Sequence, residues 1–323
     1  MKPNAHYQNP ARCRSLADRI AEMAKGQIRI MEVCGTHTVS IFRHGIRFLL
    51  PESILLVSGP GCPVCVTDQR DIDAFIKLAG QDNTIIHTFG DLMRVPGSSS
   101  SLQKENAEGR DIRIVYSAAD AIDTAMANPT KQVVFAGVGF ETTAPTIAAS
   151  VVAAKRMGID NYSIYCTHKR VPPALDALAG DRDMHIDGFL LPGHVSVIIG
   201  RKGYEPFFQK YRIPSAIAGF EPVDILAAIL RLVEMITERS PALINAYPRA
   251  VPENGNATAR RTMETVFDTC DARWRGLGVI PGSGLAFRDE YAHFDAARRF
   301  GITFPETCPP SGCLCGEILT GKI

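Results

Sequence analysis

Residues 133–155 read VVFAGVGFETTAPTIAASVVAAK. An apolar, β-branched run, Val133–Phe135, passes through a glycine-bearing loop, GVGFETTAP (137–145), into a helical pattern over Ala144–Lys155. A strand, a loop and an amphipathic helix in that order make the repeating element of a βαβ unit. The same order recurs on both sides. Four earlier runs, Ile28–Val33, Ile54–Val57, Thr84–Thr88 and Ile112–Tyr116, are followed by turn residues and then helical spacing. Three later ones, Tyr162–Cys166, Gly188–Leu191 and Ala216–Ala218, do the same. Amphipathic stretches such as Asp71–Leu78, Ala119–Ala127 and Pro173–Leu178 lie between them.

Strands alternating with helices imply parallel sheets, and near-continuous apolar strands imply sheets covered on both faces. The expected class is α/β, with two similar parallel-sheet βαβ half-domains, 28–125 and 126–225, facing a cleft. Residues 1–27 and 226–323 are expected to form a smaller, mainly helical third unit with a Cys-rich tail. A long helix over Ile225–Thr237 opens its second part.

Size and charge narrow the function. The chain has 323 residues, 46% of them hydrophobic, enough for two or three domains. Lys+Arg 35 against Asp+Glu 34 leaves a net charge of +1, with no basic excess of the kind that nucleic acid or an anionic membrane surface requires. The N-terminal residues lack a signal-peptide core, since Leu16, Ile20 and Met23 fall at helical spacing. The most apolar later stretch, Val133–Ala154, is broken by Glu141 and Pro145 and is not a membrane span. The expected compartment is the cytoplasm. There, nine cysteines serve as metal ligands, redox centres or buried thiols rather than structural disulfides.

Chemistry-bearing residues cluster where the strands end. The loops read CGTH (34–37), GPGCPVC (59–65), FGDLMRVPGS (89–98), GVGFETTAP (137–145), THKRVPPA (167–174), LPGHVS (191–196) and AGFEP (218–222). Ligands of open parallel sheets bind outside the carboxyl ends of the strands. Ordinary turn chemistry accounts for the glycines and prolines in these loops. It does not account for Cys, His, Asp, Arg and Glu recurring beside them.

The cysteines fall into groups. Cys62 and Cys65 form a C-x-x-C ahead of a helix expected to start near Thr67 or Asp68. Such a pair serves either as a dithiol–disulfide couple or as half of a zinc site; the βα context favours the couple. Cys34 ends the first strand, with His37 three residues on, as a nucleophile or soft-metal ligand against the plainer reading of a buried thiol. Cys308, Cys313 and Cys315 crowd the tail in a pattern of cluster or zinc ligation that is short of four ligands. Cys13, Cys166 and Cys270 have no partner spacing and are read as structural. GVGF lacks the third glycine of a dinucleotide fingerprint, so nucleotide binding has little support.

Taken together, MEVCGTHT, GPGCPVCVT, FGDLMRVPGS, GVGFETTAP, PGHVSVIIG, AGFEPVDIL, WRGLGVIPGSGL and CLCGEIL resemble the motifs of the hydrogenase maturation factor HypD family, from about Met31 to Leu319. The resemblance implies a redox-active scaffold for the iron centre of [NiFe] hydrogenases. A transient Fe(CN)2CO centre would be held together with a HypC-like chaperone, and a HypE-like partner would donate the cyanide. It also implies an accessory redox and assembly factor rather than a simple turnover enzyme. By motif position, Cys34 with His37 would bind the iron and Cys62 with Cys65 would be the redox pair. Asp91, Arg94, Glu141, Thr142, Thr143 and His194 would line the ligand cleft.

Two departures stand out. Val39 and Ser40 follow GTHT where the family has a second histidine. The family's [4Fe-4S] cluster uses four C-terminal cysteines, of which Cys313 matches the first and the others have no counterpart before Ile323. The competing expectation is a thiol–disulfide oxidoreductase independent of iron assembly. A purely structural zinc protein is a third.

Overall fold

The computed structural model describes residues 6–181, 183–303 and 312–321. The chain divides into two compact units, one of residues 1–62, 174–257 and 316–323, the other of 63–173 and 258–315. The α/β class with parallel sheets is as expected.

Among the described residues eleven strands are formed, in chain order β1 (Ile28–Glu32), β2 (Ile54–Ser58), β3 (Thr84–Thr88), β4 (Ile112–Ile114), β5 (Gln132–Gly137), β6 (Tyr162–Cys166), β7 (Gly188–Pro192), β8 (Ser215–Ala218), β9 (Leu243–Asn245), β10 (Phe267–Trp274) and β11 (Gly278–Phe287). The first unit holds a parallel sheet of order β2-β1-β7-β8-β9, and the second a parallel sheet of order β4-β3-β5-β6.

This pairing corrects the contiguous boundaries at 28–125 and 126–225. Met31 on β1 pairs with Phe189 on β7 as well as with Val57 on β2, so the first sheet is completed only after the chain has built the second. Each strand carries the same apolar signature, which marks a strand as buried without naming its neighbour.

The expected third unit is also corrected. Helix α1 (Pro10–Met23), capped by the Asn9 side chain on the amides of Ala11 and Arg12, buries Cys13, Ala17 and Ile20 in the first unit's core. There it packs on the helix Pro222–Thr237. Residues 258–303 belong to the second unit, where the helix Ala257–Val266 is followed by the antiparallel hairpin β10–β11 in place of further expected helix. The hairpin escapes notice because FDTCDARW carries charge on most of its outward positions. A bulge between Cys270 and Ala272 further breaks its alternation.

The cores follow from the strands. Ile28, Ile30 and Leu190 meet Ile225, Ile229 and Leu232 in the first unit. In the second, Val133, Phe135 and Ile164 meet Ile147, Ala148 and Val151. Each such side chain contributes about 1.5–3 kcal/mol by leaving water. Among the described residues no helix is long and apolar enough to cross a membrane.

Candidate functional site

Each unit gathers its own loops at the carboxyl edge of its sheet. In the first unit, adjacent strands β2, β1, β7 and β8 deliver Cys62, Cys34, His194 and Phe220 in that order. Cys34 follows β1 directly and is the N-cap of helix α2 (Gly35–Arg43), a helix the sequence reading left unassigned. Its thiol is buried, which pushes its pKa up, while the amides of Thr36 and His37 at the start of α2 pull it down.

The Cys34 loop is pressed against the loop that carries Cys62. The amide of Gly35 donates to the Gly61 carbonyl at 3.0 Å. A Cβ on Gly61 would stand 2.1 Å from the Cys34 nitrogen, and one on Gly35 would stand 3.5 Å from the Cys62 Cβ. Only glycine at 61 lets the two backbones approach so closely.

His37 is fully buried, one turn into α2. Its Nε2 donates to the Gly219 carbonyl at 2.9 Å, which leaves Nδ1 as a buried lone pair with no partner. Burial lowers its pKa to about 4, so the ring is neutral at physiological pH. Phe220 joins the two histidines, its ring centroid 4.9 Å from that of His37 and 4.0 Å from that of His194. Partial burial also lowers the pKa of His194.

Two acidic residues that the motif reading did not single out complete this edge. Glu32, 1% exposed beside Cys34, accepts from the Ser58 hydroxyl at 2.8 Å, and burial raises its pKa. Asp224 is buried and grips Arg249 through both oxygens. The signal for both was available, since an acidic residue inside an apolar run or a helix's first buried turn needs a partner.

In the second unit, the exits of β3 and β5 enclose a cavity of about 110 Å3 lined by Asp91, Thr143, Phe89 and Gly139 together with Pro63 and Val64 of the C-x-x-C loop. Thr67 ties that loop down, donating its hydroxyl to the Pro63 carbonyl at 2.8 Å. Cys62 is half-buried and Cys65 exposed. The expected helix is α4 (Gln69–Ala79), capped by Asp68 on the amide of Arg70. Cys65 therefore precedes the cap by three residues, outside the first turn where a helix dipole acts.

Arg94 and Thr142 are exposed and lie outside this cavity's lining. Glu141 is buried, with both carboxylate oxygens accepting from the Val171 amide, at 3.0 and 3.2 Å. Burial raises its pKa to about 7 from an ordinary 4.5. Between those values the folded protein holds a proton that the unfolded chain has shed, so stability falls as pH rises through that window. The loss is about 3 kcal/mol. Glu141→Gln removes the titrating group. Urea midpoints should show wild type losing ground to Glu141→Gln between pH 5 and pH 8, and a gap independent of pH would contradict this.

The tail places Cys313 exposed and Cys315 half-buried, with Arg275 acting on both; Cys308 lies outside the described residues. Among the described residues no group of three or more His, Cys, Asp or Glu is gathered to hold a metal ion. The described donors therefore do not fit a four-thiolate [4Fe-4S] cluster.

Comparison with known proteins follows the same lines. The family model HypD, described as the hydrogenase formation hypA family, matches residues 11–323. The hydrogenase maturation factor HypD of Rhodobacter capsulatus is 41% identical, over 100% of this chain and 89% of that protein. The HypD of Escherichia coli K12 is 43% identical, over 96% of this chain and 83% of that protein. The hydrogenase expression/formation protein HupD of Azotobacter chroococcum is 42% identical, over 99% of this chain and 87% of that protein.

Proposed function

This chain belongs to the HypD family of hydrogenase formation proteins, and from that premise we propose that it is a [NiFe] hydrogenase maturation factor on which an Fe(CN)2CO centre is assembled. The iron is cargo. A HypC-like chaperone shares it and a HypE-like protein donates the cyanide.

The observation that carries this reading is the contact between the Cys34 loop and the Cys62 loop through Gly61 and Gly35. It brings together the loops of Cys34, to which this reading gives the iron, and Cys62, to which it gives the redox chemistry. The Cys34 thiol is protonated before iron arrives, because burial raises its pKa. Loading iron then releases that proton, and the amides of Thr36 and His37 face the thiolate that forms. The Nδ1 lone pair of His37 is a second donor within the same turn.

Phe42 and Phe48, 87% and 94% exposed on α2 and on the short helix α3 (Ile46–Leu49), support a partner docking next to Cys34. Val39 and Leu49 on the same two helices are exposed as well, and clustered exposed apolar side chains, unlike single ones, mark interaction sites.

Cys62 and Cys65 supply the electrons. Two thiols pass two electrons to an oxidised acceptor, release two protons and form one disulfide. Mild oxidation should therefore lower the titratable thiol count by two in wild type and not in Cys62→Ser. An unchanged wild-type count would remove the redox role while leaving the iron site standing.

A further inference from the structure

A second site lies in the second unit, apart from every residue discussed above as iron-holding or redox-active. The chain leaving β6 runs Thr167-His168-Lys169-Arg170 beside β11, with the Lys169 amide on the Gly139 carbonyl and the Arg170 amide on the Ser283 carbonyl. This places Lys169 inside the unit, 2% exposed. Lysine is almost never so buried without a counter-ion.

Lys169 has none in contact. Its Nζ donates to the Thr167 carbonyl at a long 3.4 Å and stands 6.0 Å from the Trp274 ring centroid. The lysines that form ion pairs among the described residues are Lys131 and Lys155. Asp71 is the carboxylate that faces Lys169 most strongly, but it takes the Tyr165 hydroxyl at 3.3 Å. Asp68 faces it more weakly and pairs with Arg70 at 3.5 Å. An ammonium with three donors and one weak acceptor is a poor resident of a closed core.

Lys169 is not in a closed core. It lines a cavity of about 140 Å3, floored by residues 166–169 and walled by the β10 bulge and the first turn of α4. The lining holds three basic side chains, Lys169, Arg70 and Arg273, against two carboxylates, Asp71 and Asp271, and burial lowers the Lys169 pKa, a cost that a bound anion would offset. Asp271 is already occupied by the Gly282 amide at 2.9 Å.

We propose that this cavity binds a small oxyanion of the carboxylate or phosphate class, whose oxygens supply the acceptors that Lys169 lacks, with Arg70 and Arg273 nearer the mouth. The site is independent of the hydrogenase reading and stands if that reading fails. A fold that buries a cation without a contact partner recovers the cost when the counter-charge arrives as a ligand.

The test is calorimetric titration of the full chain with sodium phosphate and, separately, sodium acetate at constant ionic strength. Saturable binding is expected with at least one of them, phosphate alone assigning the phosphate class and acetate alone the carboxylate class. Lys169→Met should weaken it about tenfold or more. Removing the unpaired cation should also leave the anion-free variant at least as heat-stable as wild type. No saturable binding by wild type, or equal binding by Lys169→Met, overturns the proposal. If Lys169→Met does not fold, acylation of Lys169 in wild type, read by mass spectrometry, replaces it. Either anion that binds must slow that acylation, and an unchanged rate also overturns the proposal.

Discussion

Gly61→Ala is expected to destabilise the first unit by more than about 3 kcal/mol, because it forces overpacking against atoms that cannot rotate away. The added Cβ would stand 2.1 Å from the Cys34 nitrogen, 2.4 Å from its Cα and 2.5 Å from the Val33 carbonyl carbon. A flexible side chain yields to such a contact; backbone between a strand and a helix cap does not. Melting of the variant should come on the order of 10 °C earlier than wild type. Gly35→Ala is the matched control, since its Cβ meets Cys62 at an ordinary 3.5 Å and opens a helix where alanine is favourable. Equal melting temperatures for Gly61→Ala and wild type would show that the two loops are not packed as described.

Cys34→Ala should keep the fold and lose the cargo. The side chain removed is one sulfur at a strand end, a deletion costing about 1–2 kcal/mol. Cys34→Ser should cost still less, since serine is a good N-cap. Iron retained by protein purified anaerobically with its partner should fall from about one per chain to background in both variants, because neither offers a soft thiolate. Undiminished iron in folded Cys34→Ala would reassign the ligand, with His37 the first residue to examine.

The strands were legible because burial on both faces leaves an unambiguous apolar run, as in Val133–Phe135. The loops were legible because Cys34, His194 and Asp91 stand at strand ends where turn residues are usually small. Pairing was not. Nothing within Ile28–Glu32 states that its neighbours are β2 and β7 rather than β3. The seven loops accordingly sort into four on one sheet and three on the other, by strand order rather than by sequence order. Side-chain environment was legible only in part. The motif flagged His37, but its bond to Gly219, 182 residues away, is a long-range fact. Lys169 lies within the loop THKR, but its burial depends on the hairpin that folds against it, which no local pattern states. That hairpin was hidden by its own charged face and bulge.

In the function proposed, Cys34 and its neighbours hold an iron that carries cyanide and carbon monoxide. Infrared spectroscopy on the anaerobically co-purified complex of this chain with a HypC-like partner addresses it most directly. The prediction is two cyanide bands and one carbonyl band from Fe(CN)2CO in wild type, all absent from Cys34→Ala at equal partner recovery. A complex that carries no such bands when cyanide donor and iron are supplied, or that keeps them in Cys34→Ala, would contradict it.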